Sequence, residues 1–273
     1  MTTPPAFRVR DLTFGYRAEA QPVLADLSFE IPSQAVTAIL GPNGAGKSTL
    51  LHLLLGWHRP QQGEILLHGK PLSAYGRAGL SREVGLVPQR EHVPFAFHVR
   101  EYLLLGRSPH LGMLSMPNQQ DLALVEAALG RLGIAHLANR EVASLSGGEH
   151  QLVLIARALV QGAPVVLLDE PTAHLDLGNK YRILDLLQSL AEEGRTVVFS
   201  THDPQAAAPI ADHILLLRSG QLLFTGDPTQ ALTAERLSAL YATPLQVAQW
   251  GKHTVVLPVK PTPSDNTTAP QME

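Results

Sequence analysis

Gly41-Pro42-Asn43-Gly44-Ala45-Gly46-Lys47-Ser48-Thr49 stands between the strand-like run Val36–Leu40 and the apolar run Leu50–Leu55. It matches the spacing G-x-x-x-x-G-K-[ST], with Gly41, Gly46, Lys47 and Ser48 at the required places. Glycines there let the backbone bend so that successive N–H groups point at phosphate oxygens, and the following helix adds the positive end of its dipole. The pattern puts Lys47 on the β- and γ-phosphates of a nucleotide and the Ser48 hydroxyl on Mg²⁺. A glycine-rich turn before a buried helix is the plainer alternative, and Lys-Ser at the right offset argues against it.

Around this loop lies a chain of 273 residues, 45% hydrophobic and 16% charged, which describes a globular protein whose apolar-leaning surface a partner can cover. A net charge of −3 with no basic stripe gives no pull toward nucleic acid, and none is expected as a partner. The absence of cysteine excludes disulfides and thiolate metal sites. The start, Met1 to Arg8, has no charged segment leading into an apolar one, so no export signal is expected. Nor does any apolar window have the length of a membrane span. The twelve histidines are scattered, and His92 and His98 lack a compact ligand set, so they are not read as a metal site.

Before the loop, Phe7–Arg10, Leu12–Phe14 and Leu27–Ile31 alternate as strands of a small antiparallel sheet. Tyr16 sits between two of them, where it can stack on an adenine ring or simply pack on its own sheet edge. After the loop the helix is expected to stop at Gly56. Strands are expected at Gly63–Gly69 and Val84–Gln89, then helical segments at Val99–Gly106 and Asp121–Gly133. Leu122, Val125, Leu129 and Leu132 give the second of these helices an apolar face.

Leu145-Ser146-Gly147-Gly148-Glu149 opens another amphipathic helix, with Leu152, Ile155, Ala156 and Leu159 on its apolar side. Ser146 and Glu149 fit a capping box. Capping does not account for two glycines, which cost about 1 kcal/mol each against alanine in a helix. Their missing Cβ atoms open the backbone N–H groups to a close anion. Val165–Leu168 reads as a buried strand ending in Asp169 and Glu170, and ligands of open α/β sheets lie beyond such carboxyl ends. Asp169 is placed to hold Mg²⁺ through water and Glu170 to orient or deprotonate an attacking water; a solvated strand end is the alternative. A helix at Lys180–Glu193, a buried strand at Thr196–Ser200 and a helix start at Asp203-Pro204 follow, with a break expected near Pro209. Strands at Ile214–Leu217 and Leu222–Thr225, a helix at Glu235–Tyr241 and two short strands within Leu245–Val259 complete the pattern.

Taken in this order, the phosphate loop, the strand ending at Gln89, Leu-Ser-Gly-Gly-Glu and Leu-Leu-Asp-Glu-Pro resemble an ABC transporter ATPase subunit over Phe7 to Tyr241. The resemblance implies an α/β P-loop NTPase core with a mixed or parallel sheet, an N-terminal antiparallel β subdomain and an inserted α-helical subdomain. That organisation gives an ATPase domain at 7–241 with the helical part at about 90–160, a β extension at 242–260 and a disordered tail at 261–273. It further implies that Tyr16 stacks on adenine, that Gln89 links Mg²⁺ and water to the helical subdomain, and that His202 lies near the γ-phosphate. Two copies are implied to close head to tail on ATP, with Ser146, Gly147, Gly148 and Asp176 reaching the other copy's nucleotide.

Glu101–Gly112 and Pro171–Lys180 look more narrowly like the importers of iron-siderophore, haem and cobalamin. The implied partners are transmembrane permease subunits and, indirectly, an extracytoplasmic substrate-binding protein. The implied place is the cytoplasmic face of the membrane. His150, where the family often has arginine, and Pro209 depart from the pattern. Zinc or manganese import and export stay open. A soluble ABC-type ATPase acting on ribosomes or DNA is disfavoured by the single cassette, the lack of heptads and the lack of a basic patch. The signature sequence argues against a small-molecule P-loop kinase.

Overall fold

The computed structural model describes residues 4–17, 21–91, 95–112, 115–173, 175–250 and 253–259. The expected tail at 261–273 and His92 lie outside them. The strands in chain order are β1 (Phe7–Phe14), β2 (Leu24–Ile31), β3 (Val36–Leu40), β4 (Gln62–Leu67), β5 (Lys70–Pro71), β6 (Val84–Val87), β7 (Val165–Leu168), β8 (Thr196–Thr201), β9 (His213–Arg218), β10 (Gln221–Gly226), β11 (Leu245–Trp250) and β12 (His253–Pro258). The helices are α1 (Lys47–Leu54), α2 (Arg77–Glu83), α3 (Val99–Leu104), α4 (Gln119–Arg131), α5 (Gly147–Gln161), α6 (Leu177–Glu192), α7 (Pro204–Ala207), α8 (Pro228–Ala231) and α9 (Ala234–Tyr241). Among the described residues no helix is long and apolar enough to cross a membrane.

The central sheet runs β10-β9-β3-β8-β7-β6, parallel except for the edge strand β10. Its inner strands are apolar on both faces, as a sheet covered on both sides requires. Alternate residues go to opposite faces. Ile39, Leu167, Val198 and Leu215 join α1 and the antiparallel sheet β2-β1-β4-β5, whereas Leu40, Leu168, Phe199 and Leu216 join the helices on the other side. Each fully buried leucine or phenylalanine contributes about 1.5–3 kcal/mol of burial. The segment between β6 and β7 carries α3, α4 and α5, so the helical block is an excursion from the sheet that returns through α5.

Four expectations need correcting. Phe7–Arg10 and Leu12–Phe14 are one strand: Asp11, at φ +48 and donating its N–H to Ser28 Oγ (2.8 Å), shifts the register without ending the pairing. The expected helix at Val99–Gly106 passes after Leu104 into a 3₁₀ segment, Leu105–His110. The helix expected from Lys180 starts at Leu177, because Asp176 caps it. Leu122 is 39% exposed, and Ala128 takes its place on the buried face with Val125, Leu129 and Leu132. The reason is Asp121, one residue earlier, which turns inward to accept from Arg107 Nε (2.8 Å) and Asn118 N (2.9 Å).

Arg107 also donates to Val160 O (3.0 Å), so the Arg107–Asp121 pair ties α4 to α5. The Asn118 N–H, helped by the guanidinium, holds the Asp121 carboxyl below the usual carboxylate range. A depressed folded-state pKa contributes stability above the unfolded value and loses it as pH falls through the folded one. Asp121→Asn is therefore expected to lower the melting temperature by a few degrees at neutral pH. Circular-dichroism melts at stepped pH should show the gap closing on acidification; a gap independent of pH would contradict this account.

Candidate active site

Strand β3 delivers the phosphate loop between β8 and β9, where Leu40 sits opposite Thr201 and Leu216. Gly41 donates its N–H to Thr201 O (3.2 Å), and a Cβ on it would meet Leu217 O at 2.1 Å, so nothing larger than glycine fits. Gly46, at φ +101, turns the chain into α1 in the left-handed region that glycine adopts freely. No side chain caps α1 and its first turn holds no acidic residue, which leaves the positive helix end facing the loop.

Lys47 is folded back along this loop and is only 5% exposed. Its Nζ donates to Gly41 O (2.8 Å) and Pro42 O (3.1 Å) and pairs with Glu170 Oε1 at 3.1 Å. The other carboxylate oxygen of Glu170, Oε2, is 2.7 Å from His202 Nδ1. Both oxygens of the expected general base are thus engaged. Glu170 itself sits at φ +46. Such a conformation costs a non-glycine residue about 1–3 kcal/mol and persists where surrounding contacts enforce it.

One such contact comes from Ser200, which the sequence reading passed over. Its hydroxyl donates to Asp169 Oδ1 (2.6 Å) and accepts the Glu170 N–H (2.9 Å), so one buried side chain joins both carboxylate residues. A signal was present: Ser200 follows Val-Val-Phe in a fully buried strand, where a hydroxyl needs a partner.

Asn43, Gly44, Ala45, Gly46, Lys47, Ser48 and Thr49 line a cleft of ≈ 470 Å³ together with Val23, Gln89 and Glu170. Tyr16 lies at the same junction, 60% exposed, with its hydroxyl 3.1 Å from Thr49 Oγ1 and its ring edge-on to Phe14 and His58. The sheet therefore brings together Tyr16, Gly41 to Thr49, Gln89, Asp169, Glu170 and His202.

It does not bring in the rest. Ser146 caps α5 in the expected reciprocal arrangement, accepting from Glu149 N (3.4 Å) while its own N–H donates to Glu149 Oε2 (2.8 Å). Asp176 caps α6, accepting Asn179 N on Oδ1 (2.9 Å), and this donor holds its carboxyl below the usual range. Asn179 also lies 3.3 Å from where a Cβ on Gly148 would be, so the two caps are neighbours. A Cβ on Gly147 would meet nothing within 4 Å. Among the described residues none lies where that side chain would be.

Comparison with known proteins bears on this arrangement. Residues 24–173 match the family model described as ABC transporter. The molybdate import ATP-binding protein MolC of Haemophilus influenzae is 42% identical over 248 residues, 90% of this chain and 92% of that one. The hemin import ATP-binding protein HmuV of Shewanella denitrificans is 40% identical over 227 residues, 81% and 88% of the two chains. Among solved structures, an inward-facing transporter described as of the metal-chelate ABC type superposes with TM-score 0.81 at 40% identity, covering 94% of this chain and 98% of that one. A dimeric bacterial ABC transporter cassette gives TM-score 0.73 at 28% identity, covering 81% and 98%.

Losing the Ser200 hydroxyl strips Asp169 Oδ1 of a donor and Glu170 N of an acceptor in a buried setting. Ser200→Ala is expected to cost about 1–3 kcal/mol in urea unfolding and to lower nucleotide turnover about tenfold. Wild-type turnover in a stable variant would show that the bridge does not position the carboxylates.

Proposed function

This chain belongs to the ABC transporter family as an ATP-binding subunit of the importer kind, and we propose that the cargo it drives inward is a metal chelate such as ferric siderophore, haem or cobalamin. It is an ATPase, and subunits of this kind work in pairs with transmembrane permease subunits. The observation that carries the site assignment is the Lys47–Glu170–His202 cluster at the mouth of the phosphate loop. The cargo class is supported by the likeness to the metal-chelate type transporter and the hemin importer subunit. Likeness to the molybdate import protein favours a second reading, in which the cargo is an oxyanion.

In the proposed mechanism Tyr16 stacks on adenine, and the N–H groups from Gly41 to Thr49 cradle the phosphates. Lys47 moves its ammonium from Glu170 to the β- and γ-phosphates. That exchange frees Glu170 Oε1 to take a proton from the attacking water, while His202 holds the carboxylate through Oε2 and lies near the γ-phosphate. The Ser48 hydroxyl and the Gln89 amide oxygen, with the Asp169 carboxylate acting through water, would hold Mg²⁺, which suits all-oxygen donors. When bound, that ion neutralises charge on the phosphates. Asp169 is kept ready for it by the Ser200 hydroxyl.

Ser146, Gly147, Gly148 and Asp176 lie off this cleft and would complete the site of a second copy. Gly147, with open space where a side chain would be, supports that role. Residues 7–241 would form the ATPase domain, with the helical subdomain at about 90–160 and the β extension at 242–260 attached to it. The complex would sit on the cytoplasmic face of the membrane and receive cargo through an extracytoplasmic binding protein.

Lys47→Ala is expected to abolish ATP hydrolysis while leaving the circular-dichroism spectrum unchanged; undiminished hydrolysis would refute the phosphate-loop assignment. With Glu170→Gln, binding should outlast chemistry, so that ATP and Mg²⁺ trap a dimer in light scattering. A protein that stays monomeric at saturating ATP would count against the two-copy site. Cells carrying the native gene or Lys47→Ala, offered labelled ferric siderophore, haem, cobalamin and molybdate, should lose uptake of one. Loss of molybdate alone would select the second reading.

A further inference from the structure

His202 lies one residue beyond β8, outside the sheet ladder, and the helix that follows it is a single turn, Pro204–Ala207. So short a helix cannot hold itself in place. The segment is instead gripped from two sides by residues that do not line the nucleotide cleft. From α6, Lys180 Nζ donates to Asp203 Oδ2. From the end of α9, the Tyr241 hydroxyl donates to the backbone carbonyl of His202 at 2.8 Å.

The C-terminal strands bear on the same segment. Ala242, at φ +53, ends α9 and turns the chain into β11, which packs against α9. Its antiparallel partner β12 lies against α7. Tyr241, Leu245, Val247 and Val256 pack on the core that holds Ala206, Ala207 and Ile210. Burial, reinforced by the nearby Asp203 and Glu170 carboxylates, pushes the Tyr241 hydroxyl up, so it stays a neutral donor at working pH.

We propose that Tyr241 and Lys180 are positioning residues for His202, and that the β11–β12 hairpin serves to seat Tyr241 against the His202 carbonyl. This rests on the reading of His202 as a residue that acts at the γ-phosphate. The imidazole meets Glu170 at 2.7 Å, and a backbone shift of about 1 Å would break that contact. The C-terminal extension thereby bears on hydrolysis without touching nucleotide. Tyr241 acts through one main-chain oxygen, so removing its hydroxyl should alter the rate and leave ATP affinity alone.

The test compares the full-length wild-type chain with Tyr241→Phe, Lys180→Gln, His202→Ala and the Tyr241→Phe/His202→Ala double variant. Steady-state ATP hydrolysis gives kcat and KM, single-turnover measurements follow residual rates, and melting temperatures monitor the fold. Tyr241→Phe and Lys180→Gln should each lower kcat about threefold to tenfold, with KM for ATP within about twofold of wild type. In the His202→Ala background the loss of the hydroxyl should add nothing, because it acts through that residue.

Wild-type kcat in both single variants, a loss that appears in KM, or a full additional loss in the double variant would overturn the inference while leaving the His202 reading intact. Full turnover in His202→Ala would overturn that reading and the inference with it. Should Tyr241→Phe melt early, Lys180→Gln loosens the same segment from the other side and decides the matter by the same kcat and KM split.

Discussion

The Lys47 ammonium and the Glu170 carboxylate face each other at 3.1 Å with more than nine-tenths of each side chain out of solvent. Buried charges are tolerated as a pair; removing one member typically costs about 3–5 kcal/mol because the other is left uncompensated. To make the pair, the chain must bring the carboxyl ends of β3 and β7 together, and the sheet does so with β8 between them. The end of β8 is where Ser200, Thr201 and His202 emerge. The strand between those carrying lysine and glutamate therefore supplies a hydroxyl that joins two carboxylate residues and leads into an imidazole that meets one of them. Strand order is what makes the site.

Under the proposed function the pair also sets the terms of nucleotide binding. The Lys47 ammonium has three acceptors, two loop carbonyls and Glu170, so in the proposed mechanism a phosphate would compete with a carboxylate for it. In the proposed mechanism binding and activation of the base are one event: a phosphate that draws Lys47 away would leave Glu170 free on one oxygen and still held by His202 on the other. The strained backbone of Glu170, pinned by the Ser200 hydroxyl, keeps that carboxylate aimed at the loop.

The surface carrying Ser146–Gly148 and Asp176 is built differently. Its two helix ends satisfy backbone donors with their own side chains, Ser146 N–H by Glu149 and Asn179 N–H by Asp176. The proposed function gives these groups to another copy, a role that their capping does not obstruct. The C-terminal hairpin belongs with the cleft, for it packs on the turn that follows His202.

The phosphate loop, the carboxylate pair, the serine cap of α5 and most strands were legible in the sequence, because each depends on residues a few positions apart. Glycine spacing, an apolar run ending in acids and a reciprocal cap are local patterns. Even at this range, Leu122 was misread, because Asp121 turns toward Arg107, fourteen residues away in the chain. The resemblance gives Asp176 only a role toward the other copy, and its capping of α6 shows only because the helix begins at Leu177. Tertiary structure alone decided that Ser200 reaches Asp169 and Glu170, about thirty residues distant, and that Tyr241 reaches the His202 carbonyl from thirty-nine residues on. Those contacts follow from which strands lie side by side and which helices cover them. That choice is made by burial of both sheet faces across the whole chain, and no short window of sequence records it.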